Sequence, residues 1–106
     1  VSKELEAARE IVLAEGDHGE WVFFANGRGV SVIRNEFSYG GRSGLFEVAV
    51  LDEEGNPDYS TPVADDVKGW LTVPEVLDVM KAVSELPAVL SRTGKVQARL
   101  RMRRTQ

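Results

Sequence analysis

Apolar positions along this chain recur with two periods: a helical one near the start and again after residue 72, and a strict alternation over most of the rest. Leu5, Ala8, Ile11 and Val12 share a helical face, with Lys3, Glu4, Glu6, Arg9 and Glu10 on the other, which predicts a helix over 3–15. Ser2 is its expected N-cap and Gly16 its expected stop, because a left-handed C′ residue is cheap only for glycine. Asp17, His18 and Gly19 read as a connector. A hairpin over 21–34 follows, with two β-rich runs flanking Asn26–Gly27, residues that accept the positive φ of a two-residue turn. Such a turn sets Phe23 opposite Val30 and Trp21 opposite Val32. Trp21, Phe23, Val30 and Val32 would then share one face, and Val22, Phe24, Ser31 and Ile33 the other.

A third strand is expected over 45–51, again apolar on both sides and broken only by Glu47. Residues 52–58 (DEEGNPD) read as an acidic turn, 59–63 as a short edge strand ended by Pro62, and 65–69 as a single helical turn. Thr72 and Glu75 have capping-box spacing and open a helix over 73–86, with Pro74 in its tolerated first turn. Val76, Leu77, Met80, Val83 and Ser84 form the expected buried stripe. Residues 91–94 read as a turn. Over 95–103, Val96, Ala98, Leu100 and Met102 alternate with Gln97, Arg99, Arg101 and Arg103, which argues for a strand; Val96, Leu100 and Arg103 also share a helical face.

The fold expected is one α+β domain over 1–106, an antiparallel sheet of three to five strands packed with helices 3–15 and 73–86. A sheet apolar on both faces needs cover on both. One helix pair covers one face, and a second subunit in a homodimer is the expected cover for the other.

Composition narrows the function classes. The 106 residues include no Cys and a single His, which removes disulfides, thiolate metal sites and thiol nucleophiles, and leaves little for an imidazole site. No cofactor is expected. No apolar run approaches the roughly 20 residues of a spanning helix, and no signal-peptide pattern opens the chain. The expectation is a cytoplasmic protein without membrane contact. The net charge of −4 hides a split: all seventeen acids and seven bases lie in 1–91, while 92–106 holds six bases and no acid.

The basic segment is the sharpest candidate for chemistry. Arg99, Arg101 and Arg103 would repeat every ~6.8 Å on one strand face, a spacing compatible with phosphate contacts. The acidic body opposes that use, and Arg on an edge strand also blocks aggregation or pairs with acids of the same chain. Phe37, Tyr39 and Arg42 lie in the glycine-rich loop between the second and third strands, and aromatics beside glycine suit protein recognition. Burial of Phe37 under the sheet edge is weighed equally. Residues 40–44 look like a phosphate cradle, but a strand follows where a helix N-terminus is needed. Asp65 and Asp66 are adjacent and diverge by about 100° on a helical turn, which favours capping over metal or base chemistry. The acidic turn lacks the loop-closing Glu of a calcium loop. Trp21 and Trp70 read as core anchors.

Residues 28–34, Ser38–Tyr39–Gly40, 44–51, and 59–67 through Trp70–Leu71–Thr72 together resemble small accessory proteins of tailed phages that infect actinobacteria. The likeness covers roughly residues 26–86. Fifteen Val against two Ile and nine Arg against four Lys fit a GC-rich genome. The resemblance implies a phage accessory role in the host cytoplasm, and no reaction or site residue comes with it. The function expected is therefore a non-enzymatic interaction module acting on a host or virion protein. Nucleic-acid binding by the basic C-terminal strand is the alternative, and a small enzyme built on Asp65 and Asp66 a third.

Overall fold

A computed structural model describes residues 5, 6, 9, 10 and 16–88, with the backbone of 101–104. The fold is α+β. Strands β1 (His18–Phe23), β2 (Gly29–Arg34), β3 (Phe46–Leu51), β4 (Lys68–Leu71) and β5 (Arg101–Arg104) form one antiparallel sheet in the order β4-β3-β2-β1-β5. Leu5, Glu6, Arg9 and Glu10 are helical, within the helix expected over 3–15; the rest of that helix, the 91–94 turn and residues 95–100 lie outside the described residues.

The hairpin forms where expected, but in a different register. Val22 pairs with Val30 and Trp21 with Ser31. Three residues rather than two make the loop: Gly27 N–H donates to Phe24 O, and Phe24 N–H to Arg28 O. Only Gly27 carries positive φ there, as in a type I turn closed by a left-handed glycine. The extra loop residue moves one strand's side chains to the opposite face. Val22, Phe24, Val30 and Val32 therefore line one side together, continued by Phe46, Val48 and Val50 of β3, and all are at most 1% exposed. Asn26 shows why this turn prevails. Its Nδ2 donates to Val83 O (2.8 Å) and Leu86 O (3.1 Å), satisfying carbonyls at the end of the packed helix.

That helix, Val73–Ser84, lays Val76, Met80 and Val83 on the valine face; Leu77 and Ser84 of the expected stripe are half-buried. Leu5 packs against the same core. The capping box is present, with Glu75 N–H donating to Thr72 Oγ1 and Thr72 N–H to Glu75 Oε1. Thr72→Ala is expected to cost about 1 kcal/mol in urea unfolding. The Thr72 amide and hydroxyl hold Glu75 below the ordinary carboxyl range. The Ser60 hydroxyl and amide, with Arg28 beside them, do the same for Asp58. Both groups bind protons more readily when unfolded, so the stability they contribute is full above the ordinary carboxylate range of about 4 and is lost as pH falls through it. Urea midpoints measured from pH 6 down to about 3 should fall, and fall less in Thr72→Ala.

Two local expectations are corrected. Residues 59–63 form no strand; the open edge of β3 is taken by Pro57 and Asp58 at one end and by β4 at the other. Residues 65–69 form no helical turn. Asp66 Oδ1 accepts the amide of the next residue, Val67 (2.7 Å), a contact too short in sequence to cap a helix, and Lys68 already belongs to β4.

The second face of the sheet carries Trp21, Phe23, Ser31, Ile33, Ala49 and Leu51. The acidic turn folds over part of it: a Cβ on Gly55 would sit 3.1 Å from the Trp21 ring and 3.7 Å from that of Phe23. Phe23 and Leu51 are buried, while Trp21, Ser31, Ile33 and Ala49 are half-buried. The chain thus supplies part of the cover for which a second subunit is expected. Strand β5 sets Arg101 opposite Phe23 and Arg103 opposite Trp21, register positions on this same face, with Met102 opposite Val22.

Candidate functional site

Three aromatic side chains gather where the 35–44 loop meets β4, and all point outward: Phe37 is 86% exposed, Tyr39 63% and Trp70 62%. The loop under them is tightly bonded. Asn35 Oδ1 accepts the amides of Phe37 (2.8 Å) and Ser38 (3.0 Å), and Ser38 Oγ accepts that of Asn35 (2.9 Å). Glu47, half-buried on β3, takes the Tyr39 amide at 3.0 Å. A short 3₁₀ turn, Gly41–Ser43, closes the loop, and its amides go to the loop's own carbonyls. Those amides are spent, which removes the phosphate-cradle reading of residues 40–44.

Loop and strand interlock through glycines. Trp70 N–H donates to Tyr39 O at 3.1 Å. A Cβ on Gly69 would lie 2.5 Å from Tyr39 Cβ, and one on Gly40 2.8 Å from Trp70 Cα. The register shift between Phe46 and Val48 puts two β4 residues opposite Glu47. The bulge leaves Trp70 at φ 59°, a left-handed conformation for a bulky side chain. Such a residue costs about 1–2 kcal/mol. A large apolar residue that is strained and mostly solvated is not held there by core packing.

Trp70 as a core anchor is thus corrected: Leu71, its neighbour, faces the core, and the bulge turns the indole out. Burial of Phe37 is likewise corrected, because the Asn35 turn lifts it clear of the edge. Tyr39 and exposed Arg42 lie on the surface as the sequence suggested. Arg101 and Arg103 lie in β5, beyond β1 at the opposite edge of the sheet from β4, so they join no site with the aromatics. Arg99 lies outside the described residues. Trp70→Gly should relieve the backbone while losing modest burial, and its unfolding free energy is expected within about 1 kcal/mol of wild type.

Other chemistry finds little support in the geometry. Asp65 and Asp66 are both exposed. A groove of about 570 Å³ runs between Leu5, Glu6 and Arg9 and Leu77, Asp78, Lys81 and Glu85, and neither Asp lines it. Among the described residues, no three His, Asp or Glu side chains could hold a metal ion. None of the described helices is long and apolar enough to cross a membrane. Asp52 Oδ1 accepts the amides of Glu54 (2.9 Å) and Asn56 (3.0 Å), so the acidic loop closes on itself as a turn.

One polar pair was missed in sequence. His18 and Glu20 lie in β1, each 4% exposed, with Nδ1 and Oε2 3.5 Å apart. The His18 ring tilts against Phe46 at 5.7 Å, and the Arg34 guanidinium lies 4.6 Å from the same ring's centre. The signal was parity: His18, Glu20, Val22 and Phe24 share one strand face once the strand is extended back through Gly19. Comparison with protein-family models, curated proteins and solved structures gives no match.

Proposed function

We propose that this protein is a non-enzymatic protein-interaction module that binds its partner through Phe37, Tyr39 and Trp70. The observation that carries the reading is the exposure of three large aromatics on a tightly bonded loop and a strained strand residue. Aromatic side chains already fixed in place bind with little further loss of freedom, and Trp and Tyr are the side chains that most often dominate interfaces. In keeping with the resemblance over 26–86, the partner is a host or virion protein and the chain a phage accessory protein acting in the host cytoplasm. A homodimer remains part of the reading, with the half-buried patch of Trp21, Ser31, Ile33 and Ala49 as its contact.

The test is affinity capture from host lysate with wild type and Trp70→Gly in parallel, with and without nuclease. Proteins retained by wild type, lost by the variant and indifferent to nuclease support the reading. Capture that ignores Trp70 overturns it. The second reading, nucleic-acid binding by the basic C-terminal strand, draws on the alternation that sets Arg101 and Arg103 on one face. It requires duplex or single-stranded DNA binding that weakens steeply with salt. The acidic turn lying over the same face opposes it.

A further inference from the structure

We propose that the Phe37–Tyr39–Trp70 platform takes a proline-rich segment bearing Arg or Lys from the protein partner, bound as an extended polyproline II helix. This rests on the platform being the interaction site and adds the chemistry of what it recognises.

Three features select that ligand. First, backbone pairing is a poor route to affinity here. β4 has only four residues and a register shift, and its Trp70 amide is already bonded to Tyr39 O, so an added strand would meet a short, interrupted edge. Recognition falls to ring faces. Proline offers rigid apolar surface without a backbone donor to satisfy, and its preformed helix loses little entropy on docking to Trp and Tyr.

Second, the rings are placed by backbone geometry rather than by contact with one another. The Tyr39 and Trp70 backbones are joined by a hydrogen bond, and both side chains remain more than half exposed. Ring faces in this state are open to an incoming residue. Third, the charge is of one sign. Residues 16–88 hold thirteen Asp and Glu against five Lys and Arg. Glu36, Asp65 and Asp66 are exposed in the sequence next to the platform residues, against exposed Arg42 and half-buried Lys68. An Arg or Lys in the ligand gains from this field and from the aromatic faces, whereas a phosphate chain is repelled.

The test is a titration of the full-length ¹⁵N-labelled protein with three probes: a Pro-Pro-Arg repeat peptide, the same peptide with Glu for Arg, and an oligo-dT. The Arg peptide should shift the Trp70 indole N–H and the amides around Tyr39. It should bind at least about tenfold more tightly than the Glu peptide and weaken severalfold between about 50 and about 500 mM NaCl. Trp70→Gly should reduce its affinity by about tenfold or more while the remaining spectrum stays folded. Equal binding of both peptides, shifts away from the platform, tighter binding of oligo-dT, or no peptide binding at millimolar concentration would each overturn the proposal. If the peptides fail while lysate capture still depends on Trp70, the interaction reading survives and only the ligand chemistry falls.

Discussion

Phe46→Ala should lower the unfolding free energy by about 3–5 kcal/mol, the range for truncating a fully buried Phe. The side chain is 1% exposed and belongs to the cluster formed by the valines of β1–β3 with Val76, Met80 and Val83 of the helix. Its ring also lies against His18 and the Arg34 guanidinium. Truncation would therefore leave a cavity beside a buried His–Glu pair as well as losing apolar contact. Against a typical total of about 5–15 kcal/mol, this is a large share. The melting temperature should drop by something on the order of 20 °C. Phe37→Ala is the matched control, because that ring is 86% exposed. Its stability should stay within about 0.5 kcal/mol of wild type, with the loss confined to partner binding. Chemical denaturation of the two variants side by side tests whether apolar surface has been sorted between core and platform as described. Equal destabilisation would contradict it.

Gly41→Ala is expected to cost about 3 kcal/mol, towards or beyond the upper end for overpacking, and to dismantle the aromatic platform. A Cβ there would lie 1.7 Å from the Asn35 carbonyl oxygen and 2.5 Å from Ser38 Oγ. The first of these is backbone and cannot swing aside, so the Asn35–Ser38 turn must open. Opening it releases the bonds that set Phe37 and Ser38, and with them the approach of Tyr39 to Trp70. Amide spectra should show changes running from Asn35 through Trp70, and partner binding should fall to the level of Trp70→Gly. Gly44→Ala separates sterics from strain. Gly44 has φ 76° but nothing within 4 Å of its missing Cβ, so only the left-handed cost of about 1–2 kcal/mol applies. That variant should keep the platform.

The elements were legible wherever a few neighbouring residues decide the outcome. The Thr72–Glu75 box and the spacing of Val76, Met80 and Val83 define the helix within four turns of chain, and the helix lies where that pattern puts it. Alternation located β2 and β3, and the Met102 position in β5. It failed for His18 to Glu20, where polar identity outweighed parity and the strand was begun too late. Of the candidate site, Tyr39, Phe37 and Arg42 were visible as residues in an irregular loop. Trp70 was not, because its position depends on a bulge opposite Glu47 and on Gly40 and Gly69 making room for it.

The sequence by itself determined an α+β domain, its meander of strands, its capped helix and an acidic body joined to a basic end. These follow from periodicity and capping, which act over a few residues. Only the tertiary structure decided which faces those strands present. Asn26 reaches the carbonyls of Val83 and Leu86, more than fifty residues away, and does so from a three-residue turn that shifts the register by one. The same kind of distant contact, Tyr39 to Trp70, turns an expected core tryptophan into surface. A side chain's face is set by what the chain meets across the fold, and a local pattern contains no record of that meeting.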